Sequence, residues 1–239
     1  MERRKPSPEE MKENFVSWRK KRDETPVEKI EADTEHRMLE TLDLTIDDFR
    51  GKRILDLGSG PSALERTLRN HGIDSVVSLE RHPEAISRLP EVKGKVAGKS
   101  QEIPLRDDSI DLAISFGSAP TGQKKESEAL KTFNEMNRIL APGGEARIFP
   151  PRLRFISDNN KRLMEIYSMK KEDITQQILE ERYNLEREVE QESLAYAKER
   201  GYNIELIEKI VDDHERSRGR RFASYWILKK SLLESIPQQ

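Results

Sequence analysis

The spacing of apolar residues divides the chain into short strands that alternate with helices. Ile54, Leu55 and Leu57 follow one another with little polar interruption, which is typical of a strand buried on both faces of a parallel sheet. The segment SVVSLE reads as a second strand that ends at Glu80. A later helix, followed by the turn APGG and the strand EARIF, carries apolar residues at helical spacing: Leu130, Phe133, Met136 and Leu140. This alternation predicts an α/β fold.

A glycine turn follows the first strand directly. Gly58, Ser59 and Gly60 force a tight bend, and Pro61 suits the first position of a helix. Such a turn lets a ligand lie against bare backbone, where the N–H groups of the new helix favour anionic or hydrogen-bond-accepting atoms. The spacing of Gly58, Gly60 and Ala63 also fits a dinucleotide fingerprint, so a nicotinamide-dependent oxidoreductase is one hypothesis.

Two acidic residues modify this interpretation. Asp56 lies just before the glycines, where its carboxylate would repel a pyrophosphate but attract an ammonium or sulfonium group. Glu80 ends the next predicted strand about 20 residues later, the position from which an acid accepts hydrogen bonds from ribose hydroxyls. A ribose contact suits S-adenosylmethionine (SAM) and NAD alike, whereas Asp56 favours SAM.

Three segments in order, RILDLGSGPS, VAGKSQEIPLRDDSIDLAISFG and MNRILAPGGEARIF, resemble the class I SAM-dependent methyltransferases, with motifs like those of methyltransferase type 11. The resemblance covers about residues 50–150. It implies a Rossmann-like α/β fold, SAM as the cofactor and methyl transfer as the activity. It also implies a mostly parallel seven-stranded sheet, in which residues 204–211 and 222–228 form a hairpin whose antiparallel last strand lies between the fifth and sixth strands.

The resemblance also implies a set of cofactor-binding residues. Asp56 should orient the ammonium group of SAM, Glu80 the ribose, residues 100–102 the adenine, and residues 115–117 the wall near the sulfonium. The full expected set is Asp56, Gly58, Ser59, Gly60, Glu80, Arg81, Ser100, Gln101, Glu102, Ser115, Phe116 and Gly117. Lys99 departs from the family pattern, because members commonly carry an acid there to bind the adenine amine. Either Gln101 or Glu102 replaces that contact, or the affinity for the cofactor is reduced.

The loop FGSAPTGQ after the fourth strand argues against two acceptor classes. It is not the Asn/Asp-Pro-Pro-aromatic sequence that marks methylation of exocyclic amines or glutamine amides, and the chain has no cysteine to attack a pyrimidine carbon. No general base can be assigned from the sequence; His82, His214 and Tyr167 are candidates only.

Helical additions surround the predicted domain. Residues 1–50 form an expected N-terminal helical arm, marked by the helix starts Ser7-Pro8-Glu9-Glu10 and Thr25-Pro26-Val27-Glu28, which either packs on the domain or covers the cofactor. Residues 51–239 form the SAM-binding domain, with a helical insertion at about 155–190. We expect this insertion to be a helical pair, followed by a packing helix that ends at Gly201. The pair either overhangs the ligand-binding edge of the sheet or forms a homodimer.

The turn of the final hairpin is rich in arginine. Arg216, Arg218, Arg220 and Arg221 are candidates to bind an anionic methyl acceptor, because guanidinium groups suit carboxylate and phosphate. The alternative is a solvated turn partly neutralised by Asp212, Asp213 and Glu215.

Composition sets limits on other functions. Charged residues make up 37% of the chain, but the net charge of −2 indicates neither nucleic acid nor membrane as a partner. There is no cysteine, and none of the four histidines has H-x-x-x-H spacing, so we expect no metal. No apolar run is long enough to span a membrane, so we expect a soluble, cytoplasmic protein acting on a small-molecule or macromolecular acceptor. A non-catalytic relative that binds a nucleoside ligand or a protein remains the main alternative.

Overall fold

A seven-stranded sheet forms the centre of the computed structural model, which describes residues 34–60, 63–81, 94–169, 174–212 and 220–231. The strands are β1 (Ile54–Leu57), β2 (Val76–Glu80), β3 (Lys95–Ala97), β4 (Ile110–Phe116), β5 (Leu140–Phe149), β6 (Ile204–Asp212) and β7 (Arg220–Lys229). The α-helices are α1 (Ala63–Asn70), α2 (Glu126–Ile139), α3 (Asp158–Tyr167) and α4 (Gln176–Glu199), and a π-helical turn (Thr34–Leu39) and a 3₁₀ turn (Ile46–Phe49) precede β1.

The strand order is β3-β2-β1-β4-β5-β7-β6, and it confirms the predicted fold class. Strands β1 to β5 pair in parallel, whereas β7 runs antiparallel to both of its neighbours, β5 and β6. The carboxyl ends of the parallel strands therefore meet at one edge of the sheet. In open α/β sheets this is the edge at which ligands bind.

Helices cover both faces of the sheet. Leu55 and Leu57 of β1 face one core, which they share with Phe133 and Met136 of α2. Ile54, one position out of step, faces a second core built with α1 and the segment before β1. All four residues of β1 are buried, which is the reason the sequence there is almost continuously apolar.

The ends of two elements differ from the sequence-based expectation. Strand β5 begins at Leu140 rather than after Gly144, and the APGG segment forms an irregularity in its pairing with β4. The second helix of the expected inserted pair and the expected packing helix are one continuous helix, α4, of 24 residues. Nothing within residues 176–199 interrupts the helix, since the segment contains neither glycine nor proline. Within the described ranges, no helix combines the length and the apolar character needed to cross a membrane.

The predicted N-terminal arm is described only from residue 34 onward. Met38 and Leu39, within the range predicted for the arm, are buried in the core on the α1 side of the sheet. The two helix starts near residues 7 and 25 lie outside the described residues. The division of the chain at residue 50 stays a prediction.

Replacing Phe133 with alanine should destabilise the protein by about 3–5 kcal/mol, because a large cavity would remain in the core. Phe133 is fully buried, and its ring centroid lies 4.9 Å from that of Tyr202 and 6.2 Å from that of Trp226. Urea denaturation measures the loss. Lys131→Ala, at an exposed position of the same helix, is the control and should change the free energy of unfolding by less than about 0.5 kcal/mol. Equal effects of the two substitutions would contradict this packing.

Candidate functional site

The glycine turn after β1 is fixed to the end of β2. The backbone N–H groups of Gly58 and Ser59 both donate to the carbonyl of Leu79, at 2.8 and 3.2 Å. Gly58 and Gly60 have φ of +75° and +53°, in the left-handed region that side chains with a Cβ rarely adopt. Both glycines are therefore required by backbone conformation.

Gly58 has a second, steric requirement. A Cβ at this position would lie 2.4 Å from the Cβ of Ser118, which belongs to the loop after β4. The Ser118 hydroxyl donates to the Leu57 carbonyl at 2.5 Å, so the loop is fixed directly against the turn. At Gly60 and Gly117, by contrast, an added Cβ would meet no atom within 4 Å. Space is thus open beside the turn, although the turn itself is tightly packed.

Glu80 reaches this turn from the end of β2. Its Oε2 accepts a hydrogen bond from the backbone N–H of Gly60 at 2.9 Å. Only 9% of the residue is exposed, so its carboxylate belongs to the interior of the edge and not to the open surface. Arg81 follows it and is exposed.

Asp56 is a buried acid, and none of the described basic side chains neutralises it. Side chains alternate along β1, so Asp56 faces the same side as Ile54, toward helix α1 and its Glu65. Burial, reinforced by the negative charges of Glu65 and then Glu80, raises the pKa of Asp56 to about 7. The Arg69 side chain donates to Oε1 of Glu65, while Oε2 of Glu65 has no hydrogen-bond partner. A cation placed beside Asp56 would relieve this repulsion, and a pyrophosphate would increase it.

The loop after β3 carries the residues expected at the adenine. Glu102 donates its backbone N–H to the carbonyl of Lys99 at 3.0 Å, which closes a small turn around Ser100 and Gln101. The Ser100 hydroxyl points away into a buried contact with Thr132 of α2, at 3.0 Å. Lys99 and Glu102 are exposed.

The end of β4 carries the expected wall residues. Ser115 is fully buried, and its hydroxyl donates to the Ala119 carbonyl at 2.5 Å. Phe116 stacks on Phe149 of β5, with ring centroids 4.9 Å apart. The backbone N–H of Gly117 donates to the Phe149 carbonyl at 2.7 Å. The Ser115 side chain therefore stabilises the loop after β4. Of the three expected wall residues, Phe116 and Gly117 are less buried than Ser115.

The structure brings all twelve expected cofactor residues to one edge of the sheet, on β1, β2 and β4 and in the loops after β1, β2, β3 and β4. Two of the four arginines proposed for the acceptor, Arg216 and Arg218, lie outside the described residues, and Arg220 and Arg221 are described only as backbone at the start of β7. Ser118 and Gln123, in the loop after β4, also lie at this edge and were not predicted from the sequence. The concentration of small polar residues in FGSAPTGQ was the available signal.

Residues 55–148 match a family model described as a methyltransferase domain. No curated protein matches the sequence. The fold is similar to a SAM-dependent methyltransferase from Methanosarcina mazei, at 17% identity and a TM-score of 0.52 over 78% of this chain and 97% of that one. It is also similar to a SAM-dependent methyltransferase from Archaeoglobus fulgidus, at 13% identity and a TM-score of 0.52 over 90% and 100%.

The chain has the class I SAM-dependent methyltransferase fold. A third similar structure is a SAM-dependent methyltransferase from Thermotoga maritima, described as a possible histamine N-methyltransferase, at 14% identity and a TM-score of 0.50 over 82% of this chain and 89% of that one. The resemblance predicted from the sequence is thereby confirmed. Within the described part of the chain, no group of three or more histidine, aspartate or glutamate side chains is placed to hold a metal ion.

Gly58→Ala should destabilise the fold by about 2 kcal/mol more than Gly60→Ala, because only Gly58 adds a steric collision to the cost of positive φ. Chemical denaturation of both variants measures the difference. Adding Ser118→Gly to Gly58→Ala removes the colliding Cβ, although it also removes the hydrogen bond to Leu57. The double variant should therefore lose less stability than the sum of the losses of the two single variants. Equal destabilisation by Gly58→Ala and Gly60→Ala would disprove the contact between turn and loop.

Asp56→Asn should make the stability of the protein less dependent on pH. The folded-state pKa of about 7 lies above the ordinary aspartate value of 3.8, so between these pH values the native state holds a proton that the unfolded state has lost. Wild-type stability should therefore fall, relative to the variant, as pH rises from about 4 to 7, by on the order of 3–4 kcal/mol. Urea denaturation across this range measures it.

Glu190, whose pKa burial also raises to about 7, titrates in both proteins and cancels in the comparison. Parallel stability curves for the wild type and Asp56→Asn would contradict the assignment.

Proposed function

We propose that the protein is a SAM-dependent methyltransferase that binds its cofactor across the carboxyl ends of β1 and β2. The observation that carries this proposal is the turn between Asp56 and Glu80. The glycines leave the backbone of the turn without side chains, and the space beside Gly60 is open. The buried carboxyl groups of Asp56 and Glu80 lie on either side of the turn. These groups suit a ligand that presents a cation and ribose hydroxyls, and they oppose a nicotinamide dinucleotide, whose pyrophosphate is anionic.

The described residues fit the parts of SAM one by one. Asp56 would attract the ammonium group, directly or through water, and the backbone at Gly58 and Gly60 would receive the methionine end. Glu80, already fixed by the Gly60 N–H, would accept from the ribose hydroxyls. Ser59 and Arg81 flank these two contacts, the backbone of residues 100–102 would border the adenine, and residues 115–117 would border the sulfonium.

When bound, SAM supplies an activated methyl group, so the protein mainly has to align the donor with the acceptor. The residues at the ends of β4 and β5 are suited to this positioning. Phe116 and Phe149 form a stacked apolar pair next to Gly117, and the chain after Phe149 leads to the α3–α4 insertion. The acceptor would therefore approach over this pair, beneath the insertion.

Tyr167 is a poor candidate for a general base. Its hydroxyl accepts from Nη1 of Arg152 at 2.7 Å and donates to the Glu186 carboxylate. Burial raises the pKa of Tyr167 to about 12, far from the range in which a base works near neutral pH. His82 and His214 lie outside the described residues. We therefore propose that the acceptor attacks the methyl group of SAM without transferring a proton to Tyr167.

The acceptor itself is proposed only by class. Arg220 and Arg221 begin β7, which runs antiparallel to β5, so their backbone lies at the same edge of the sheet. With Arg216 and Arg218, which precede them in the sequence, they are the reason to propose an anionic acceptor, small or macromolecular. A homodimer through α3 and α4 stays a prediction.

A non-catalytic nucleoside- or protein-binding module is the alternative. Lys99 supplies no acceptor for the adenine amine, and the hydroxyls of Ser115, Ser118 and Tyr167 are all used in internal hydrogen bonds. Calorimetric titration with SAM separates the two functions, because absence of binding would favour the module.

Gly60→Val should abolish SAM binding in calorimetry while the circular dichroism spectrum stays helical, since a branched side chain would fill the open space beside the turn. Gly72→Val is the matched control. Gly72 also has positive φ and no atom within 4 Å of an added Cβ, but it lies after α1, at the opposite end of that helix from the turn. Unchanged affinity in Gly60→Val, or equal loss in both variants, would remove the proposed pocket.

A further inference from the structure

Helix α4 changes its packing partners at Glu190, near the middle of its length. After Glu190, the Ser193 hydroxyl accepts a hydrogen bond from the backbone N–H of Leu153, at 2.9 Å. Before it, the Glu181 carboxylate accepts from Nε of Arg162 on α3, at 2.7 Å. The second half of α4 is therefore attached to the loop after β5, and the first half is attached to α3.

Glu190 lies level with the carboxyl end of β5. The Ser224 hydroxyl of β7 donates to its carboxyl group. Because Ile148 of β5 pairs with Trp226 in an antiparallel ladder, Ser224 lies two positions beyond Ile148. That position is just past Phe149, where β5 ends. Since the second half of α4 packs on the sheet, the first half extends beyond the edge at which open α/β sheets bind ligands.

Charged side chains from α4 itself, from β6 and from the loop after β5 surround the Glu190 carboxyl: Glu186, Arg187, Glu208 and Arg152. Both positive charges also have other partners. Arg152 donates to the Tyr167 hydroxyl at 2.7 Å. Arg187 forms an ion pair with Glu208 at 3.2 Å. Neither arginine is therefore dedicated to neutralising Glu190.

The surroundings of Glu190 favour its neutral form. Only 9% of the residue is exposed. Burial, the largest effect, and the charges of Glu186 and Glu208 raise the pKa of Glu190 to about 7. The hydrogen bond from Ser224 and the charge of Arg152 offset this only in part. The ordinary glutamate pKa is 4.5, so between these two pH values exposing Glu190 to water releases a proton. Over that range, exposure becomes more favourable by about tenfold for each pH unit.

We propose that Glu190 is a pH-sensitive latch, whose neutral carboxyl holds α4 on β7 and whose ionisation releases the first half of α4, together with α3, from the sheet. The first half is the part that moves, because Ser193 and the core hold the second half. The ion pair of Arg187 with Glu208 is exposed and contributes little. The latch goes beyond the proposed function, because it acts on the α3–α4 insertion whether or not SAM binds.

Hydrogen–deuterium exchange of the full chain at about pH 5 and about pH 7 tests the latch. Exchange is expressed as protection factors, which remove the intrinsic pH dependence of amide exchange. From the lower to the higher pH, the protection of amides 181–189 should fall by about tenfold or more, because opening is coupled to the loss of the Glu190 proton. Amides 194–199, in the attached half of the helix, should keep their protection.

Two variants assign this response to one carboxyl group. Glu190→Gln is neutral at every pH, so amides 181–189 should be equally protected at both values. Glu188→Gln is the matched control, because it removes an exposed charge two residues away and should keep the wild-type response. Asp56 titrates in all three proteins and does not distinguish them.

A response that survives in Glu190→Gln, or that is lost in Glu188→Gln, would assign it to another group. Equal loss of protection in amides 181–189 and 194–199 would show that the whole domain opens, and unchanged wild-type protection would show that nothing is released. A Glu190→Gln protein that is unfolded at about pH 5 would also refute the latch, because the neutral amide should replace the neutral acid there. None of these outcomes depends on SAM binding, so they are distinct from a failure of the proposed function.

Discussion

The contact between Gly58 and Ser118 is the constraint on which the arrangement of the site depends. Because Gly58 has no Cβ, the loop after β4 can lie directly against the turn after β1, and the Ser118 hydroxyl can donate to the Leu57 carbonyl. Two loops that are distant in sequence thereby become one surface. Glu80 and the β3 loop complete that surface from the other side, through the Gly60 N–H and through Gln123.

The electrostatics of this edge follow from the same close packing. Asp56 is buried beneath the turn, near Glu65 and Glu80, and no basic side chain in the described part of the chain compensates its charge. Such an arrangement is unfavourable to the empty protein and favourable to a cationic ligand. The fold thus holds a buried carboxyl group with a raised pKa, and groups of this kind are concentrated at functional sites.

The sequence was most informative where local pattern and tertiary structure agree. The two-sided burial of β1, the glycine turn and the end of β2 at Glu80 could each be predicted from a few neighbouring residues. Contacts across the sheet could not. Nothing near Asp56 in sequence indicates that Glu65 will face it, and nothing near Gln123 indicates Ser100, because the strand order creates both neighbours. The continuity of α4 was not predicted for another reason: the segment is longer than the single helix that the family pattern has between the fifth and sixth strands, and the extra length was assigned to separate helices.

Helix α4 spans 24 residues, on the order of 36 Å. Its first half packs with α3 in the insertion, whereas Val189, Ser193 and Ala197 are buried, and Ala197 belongs to the core shared with the sheet. The insertion is therefore not a detachable module. A chimera that exchanged residues 155–190 with those of a relative would join two sequences inside this helix. The residues after the junction would still have to face the sheet for the core to pack.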